Sequence, residues 1–422
     1  MLFERFIYGF VLLGLNSLVD SNTLTNKDTF PNDQDRNKNG NIFSGDDMWI
    51  TVDADSASRI LASRTLALKE GTLSEGNQML FHVDSSMLLK VSERFHDTTN
   101  GCGVLVLHRS FQEGKNYLER MKLGDQSIFR NPGINNVNVA KKLMSMVNDK
   151  RIKGFNHMFV NTFSNRYATS SEGIQASQWL MYQWRDIICS NPNIIIPIIR
   201  PYEHSSIPQH SIIVTIPGTE FGPESVVIGA HLDSTSGNVL NSGIAPGADD
   251  DGSGIAVLTE VLTLLIETGF RPAKTIHIMA FAGEELGLLG SRDIASDFKR
   301  NGVKVLGMLN LDMVGYQGVG PDIYISTDTS NYALASFLSD LLDHYIPGLP
   351  HEFMQCNGCS DHASWYENNF PATMATEAKS RNHPSMNPNY HSENDLSVNA
   401  EKMGNFARLT LTFLAEIAKG RL

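Results

Sequence analysis

Three consecutive aspartates constrain this chain more than any other stretch. Asp249, Asp250 and Asp251 sit within Ala245-Pro246-Gly247-Ala248-Asp249-Asp250-Asp251-Gly252-Ser253-Gly254. Mutual repulsion and poor helix and strand propensity keep the triplet out of regular structure. The proline and glycines around it mark a shaped loop. The apolar run 255–266 that follows reads as a buried helix. Carboxylates crowded at a loop-to-helix junction beside apolar structure need a counter-charge, which a metal ion supplies. An acidic N-terminal helix cap is the competing reading of the same residues. The triplet alone does not choose between them.

The surrounding pattern supplies a scaffold. Helical spacing of apolar residues occurs at 137–147, 172–188, 253–267, 286–299, 331–345 and 399–418. Strand-like runs fall between these, at 193–199, 211–216, 226–230, 275–281, 303–311, 322–325 and 371–376. Such interleaving predicts an α/β fold, a mostly parallel mixed sheet flanked by helices on both faces. Sheets of this kind carry their sites at the carboxyl ends of their strands.

That rule sorts the candidate residues. The 226–230 strand ends at His231-Leu232-Asp233, where the histidine can bind a metal and Asp233 can take its other ring N–H. The 275–281 strand runs into Glu284-Glu285. Adjacent side chains cannot share a direction, so one carboxylate can bind a metal while the other faces a reacting water. Both could equally belong to an acidic first helical turn. Asp312 closes an apolar strand, where a carboxylate is costly unless paired or bound. His391, in the loop Asn387-Pro388-Asn389-Tyr390-His391-Ser392, reads alone as a surface histidine. Together, two histidines and three carboxylates suit zinc. Five ligands are too many for one catalytic zinc with an open position, but with one aspartate bridging they give three to each of two ions.

The stretches GAHLDS (229–234), APGADDDGSG (245–254), AGEELGLLGS (282–291), LNLDM (309–313), CSDHASW (359–365) and NYHSENDL (389–396) resemble, in order and spacing, the family M28 zinc aminopeptidases. The likeness is nearest to the secreted bacterial leucyl aminopeptidases and runs from 137 to 420. It implies a site holding two Zn2+ ions bridged by Asp250. His231 and Asp312 would complete one ion, and Glu285 and His391 the other. Glu284 would be the general acid/base, taking a proton from a water that bridges the metals. Asp233 would orient His231, Asp249 and Asp251 would shape the loop, and the 250–251 peptide bond would be cis. The implied reaction is hydrolysis of the N-terminal residue from peptides with a free N-terminus. A metal-free binding domain on the same fold and a one-zinc glutaminyl cyclase are the alternatives. One departure concerns the Cys-Gly-Tyr-Ala-Cys of the nearest members, whose tyrosine helps bind substrate or transition state. Here the stretch is Cys356-Asn357-Gly358-Cys359, shorter by a residue and without tyrosine, though compatible with a Cys356–Cys359 disulfide. A second concerns the first-residue pocket, where aromatic positions read Thr376 and Ser380 and two extra residues lie within 381–385. Leucine preference is therefore only a default.

Outside this region the expectations are coarser. A net charge of −12 over 422 residues argues against nucleic acid as a partner. Four cysteines do not make a disulfide framework. Arg5, the apolar run 6–15 and the polar residues after it read as a signal peptide at 1–20. A secreted monomer with no stable membrane anchor after signal removal is expected. Residues 21–135 read as a propeptide, making the chain a zymogen, or as a retained accessory region. The breaker-rich 121–136 marks the boundary with a catalytic domain at 136–422. Residues 35–46 place oxygen side chains at the Ca2+-loop positions of an EF-hand. No helix pattern flanks them, so a polar linker is favoured over calcium.

Overall fold

The computed structural model describes residues 48–53, 57, 69–75, 78–84, 91, 106–108, 110–123 and 127–422, the last without 192–196, 238, 240–242 and 381–382. The signal segment at 1–20 and the calcium-like stretch at 35–46 lie outside the described residues.

Four antiparallel strands open the described chain: β1 (Met48–Asp53), β2 (Lys69–Glu75), β3 (Gln78–Val83) and β4 (Val106–His108), in the order β2-β3-β1-β4. The helix α1 (Phe111–Leu123) packs on this sheet, burying Tyr117 and Leu118 against Leu80 and Val106. The sequence reading had no helix here. The stretch is largely polar, and Phe111 at its start is exposed, so little apolar periodicity marks it.

The central sheet has eight strands in the order β12-β11-β13-β10-β7-β9-β6-β5. Its members are β5 (Ile198–Tyr202), β6 (Ser211–Ile216), β7 (Glu224–His231), β9 (Thr275–Phe281), β10 (Lys304–Leu311), β11 (Ile323–Ser326), β12 (His351–Met354) and β13 (Ala372–Thr376). The two-residue β8 (Arg271–Pro272) pairs instead with β14 (Gly420–Arg421). Strands β13, β10, β7 and β9 are mutually parallel, whereas β11, β6 and β5 join antiparallel.

Successive residues of β7 enter different cores, as the strand period of two requires. Val226 and Ile228 join one buried cluster with helices α2 (Val137–Met144), α3 (Asp149–Thr162), α4 (Ser171–Cys189), α5 (Gly252–Glu267), α7 (Tyr332–Tyr345) and α9 (Ala400–Ala418). Val227 joins the other, with Ile294 and Phe298 of α6 (Leu289–Arg300) and Trp365 of α8 (His362–Glu367). Both faces are thus helix-covered, as the alternating pattern predicts. The helix α3 escaped that pattern because its buried stripe, Ile152, Asn156, Phe159 and Val160, contains an asparagine. Asn156 Nδ2 donates to Ala248 O at 2.7 Å, so the polar interruption holds the aspartate loop. Among the described residues, no helix is long and apolar enough to cross a membrane.

Candidate metal centre

The aspartate loop is shaped from its two ends. Asp251 caps α5, its Oδ1 accepting from Gly254 N at 2.9 Å, and its Oδ2 accepts from His231 N at 3.1 Å. The cap reading of the triplet therefore belongs to Asp251. Asp249 turns the other way and accepts from Gly315 N at 2.9 Å and from Asn387 Nδ2 at 3.0 Å. The Asp395 carboxylate accepts from the backbone N–H groups of both Asp249 and Asp250, at 3.1 and 3.0 Å. Gly247 has φ +49°, and a Cβ there would stand 2.1 Å from Asp250 O, so only glycine fits this turn. The Asp250–Asp251 peptide bond is cis.

With its neighbours turned to backbone amides, Asp250 faces inward. Its Oδ1 lies 2.9 Å from His231 Nε2 and its Oδ2 lies 3.0 Å from His391 Nε2. His231 Nε2 also stands 3.7 Å from Asp312 Oδ1, and His391 Nε2 stands 3.1 Å from Glu285 Oε2. Two groups of metal-compatible atoms result, His231 with Asp250 and Asp312, and Asp250 with Glu285 and His391, each spanning no more than 4.8 Å and sharing Asp250. Glu284 groups with His231 and Glu285 in the same way. Each imidazole nitrogen thus faces two carboxylates, although its single proton can serve only one well. The arrangement, two nitrogens and a surplus of hard oxygens, fits divalent zinc.

Asp233 sits differently from the expectation. His231 Nδ1 is 3.1 Å from the Asp233 carbonyl oxygen but 3.6 Å from its carboxylate. The carboxylate instead accepts from Glu284 N at 3.0 Å and Glu285 N at 3.2 Å, fixing the turn that carries both glutamates.

The electrostatics follow from burial and crowding. Burial alone would lower the histidines, but Asp312, Asp233 and Asp250 hold His231 well above its ordinary range. Against the same burial, Glu285 and Asp250 raise His391 to about 9. Burial would raise Asp250, yet the two histidines pull it far below a normal carboxylate. Burial, with Asp250, lifts Glu285 to about 7. Burial first, then Glu285, Asp312 and Asp361, holds Glu284 well above the usual glutamate value.

Several supporting groups carried no motif signal. Arg166 is fully buried and donates to Leu232 O at 3.0 Å, to Gly247 O at 2.8 Å and to Pro246 O, stitching the loop after β7 to the aspartate loop. Burial lowers it only to about 10, because Asp395, Asp251 and Asp250 counteract the desolvation. A lone arginine between Asn165 and Tyr167 gives no sequence cue. Asp395 lies inside the NYHSENDL stretch, so its position was visible while its role was not.

A cavity of about 210 Å³ opens over His231, Asp250, Glu284, Asp312 and His391. Its walls include Met313, Met354, Met374 and Met386, and also Thr376 and Ser380. Cys356 and Cys359 form a disulfide beside it, with Cα atoms 5.3 Å apart. No tyrosine reaches the cavity from that loop. Tyr390 lines it instead, stacked on the His391 ring with centroids 3.6 Å apart.

Residues 211–415 match the model of peptidase family M28. Leucine aminopeptidase 1 of Arthroderma otae is 36% identical over 274 residues, covering 62% of this chain and 72% of that protein. The LapA aminopeptidase of Legionella pneumophila superposes with a TM-score of 0.72 at 24% identity, over 98% of its chain and 88% of this one, more than residues 136–422 alone can supply. A glutaminyl cyclase of Porphyromonas gingivalis shares the fold more distantly, with a TM-score of 0.54 at 18% identity over 64% of this chain and 99% of that one.

Proposed function

The chain belongs to peptidase family M28 and is an aminopeptidase, and from that premise we propose that it is a secreted enzyme using two zinc ions to remove N-terminal residues. His231 and Asp312 would hold one ion, Glu285 and His391 the other, and Asp250 both. The observation that carries this reading is the division of the Asp250 carboxylate, one oxygen toward each histidine. Zinc bound there would acidify water and polarise the scissile carbonyl.

The chain's own groups do the rest. Glu284 lines the cavity and accepts the proton of the attacking water, then delivers it to the departing amine. Burial, which raises its affinity for protons, favours the form that hands one to the departing amine. Tyr390, on the cavity wall, would supply a donor to the developing oxyanion in place of the tyrosine that the 356–359 loop lacks. The four methionines offer flexible, polarisable walls for an apolar first side chain.

The test compares leucyl-p-nitroanilide, a free-amine peptide and its N-acetylated form on the purified protein. Release of the first residue from free amines alone is the expected result. Equal cleavage of the acetylated peptide would contradict the exopeptidase reading, and cyclisation of N-terminal glutamine without hydrolysis would favour the cyclase.

A further inference from the structure

The N-terminal sheet packs against the loops that carry the candidate metal ligands. Ile50, Phe81 and Leu107 share one buried apolar cluster with Ala245, Leu286 and Leu289. Ala245 begins the aspartate loop, and Leu286 follows Glu285 directly. A polar tether joins the same parts. Arg292, on the first turn of α6, donates from Nη1 to Leu107 O at 2.6 Å, and its guanidinium lies 6.0 Å from the centre of the Tyr117 ring in α1. Its other nitrogen reaches Glu367 at 3.5 Å. Among the described residues, the cavity over the metal ligands is lined from residue 231 onward.

We propose that the described strands and helix of 48–123 are a retained buttress of the active enzyme, seating the 245–254 and 282–289 loops, and not a plug whose removal admits substrate. An inhibitory segment must fill or cover the cavity it blocks, and neither the described residues of these elements nor the Ala245, Leu286 and Leu289 they pack on belong to its lining. Loss of the sheet would strip apolar cover from Ala245, Leu286 and Leu289, residues flanking Asp250 and Glu285. Buried apolar contact of this kind holds loops in one geometry, and small displacements of catalytic groups reduce turnover steeply. The reading rests on the aminopeptidase site described above, and its first readout does not depend on that activity.

The test inserts a specific protease site between Asn131 and Gly133, both exposed, in the full-length protein. After cleavage, native size-exclusion chromatography with intact mass analysis is paired with leucyl-p-nitroanilide turnover. Co-elution of the two pieces with kcat/KM within twofold of the uncut protein is expected. Activity that rises on cutting, or stays unchanged while the N-terminal piece departs, overturns the proposal. If neither the uncut nor the cut protein hydrolyses an aminoacyl substrate, the functional reading fails while co-elution still reports on the buttress. Arg292→Met supplies the second arm. It should lower kcat several-fold with KM within twofold, and Arg292→Lys should recover part of the loss. An unchanged kcat in Arg292→Met would overturn the seating role.

Discussion

Asp250 faces two imidazoles because Asp249 and Asp251 face away from them. Both outer aspartates satisfy backbone amides, so the triplet presents one carboxylate to the histidines between two that shape the loop. The adjacent glutamates divide similarly, with Glu285 3.1 Å from His391 and Glu284 on the cavity wall. Glu284→Gln should therefore keep its metal content while kcat falls, since general acid/base assistance is worth roughly 10²–10⁴-fold. Elemental analysis alongside steady-state kinetics checks both halves. Tyr390→Phe should lower kcat by about 10²-fold, the usual cost of one oxyanion donor, with KM little changed. If KM rises and kcat holds, Tyr390 binds substrate uniformly and is no transition-state donor. Metal loading should depend on pH. In the metal-free protein His391 is raised to about 9 by Glu285 and Asp250 against its burial, so at neutral pH it carries a proton that zinc must displace. Zinc affinity should weaken as pH falls below 9. The same shift stabilises the metal-free fold fully below the unfolded histidine pKa of about 6.5 and is lost as pH rises through 9. Competition with a chelator at several pH values measures the first effect.

At the scale of elements, most of the proposed ligands sit where β7, β9 and β10 end and where α5 begins. That placement was legible because each strand is an apolar run stopped by a charged residue. His231, Glu284, Glu285 and Asp312 stood out for that reason. His391 and Tyr390 did not, because a loop has no periodicity to interrupt. The bracing was illegible for a related reason. Arg166, Asn156 and Asp395 act on backbone groups of the aspartate loop from far away in sequence, and no local spacing encodes such contacts. Removing Arg166 should be costly, since it takes the donor from the Leu232 and Pro246 carbonyls and leaves Gly247 O with Gly252 N alone. Arg166→Met is expected to destabilise the protein by about 3–5 kcal/mol, the range for breaking a buried charged network. Denaturant unfolding would measure it, and a loss under about 1 kcal/mol would mean the loop holds itself.

Across the whole molecule, the central sheet places parallel strands in the middle and antiparallel ones at its margins. The interleaved pattern predicted helices on both faces and a mixed sheet, and α3, α8, the N-terminal sheet's α1 and the short strands β8, β12 and β14 were among the elements it lacked. These are short or largely polar, and their packing partners, not their own periodicity, define them. Burial also shapes the response to acid. His362, at the start of α8, is pushed down to about 3 by burial. Its contribution is complete above the unfolded value of about 6.5 and is lost as pH falls from there toward 3. His362→Asn should accordingly flatten the acid limb of a thermal-stability profile.

The central claim is that Asp250 serves two metal ions at once, and a zinc titration tests it most directly. Metal-depleted protein would be loaded, desalted and assayed by elemental analysis beside His391→Ala and Asp250→Ala. The account predicts two zinc ions per wild-type chain, no more than one in His391→Ala and neither retained in Asp250→Ala. A wild type that saturates at a single ion, or an Asp250→Ala protein that still holds two, would contradict it.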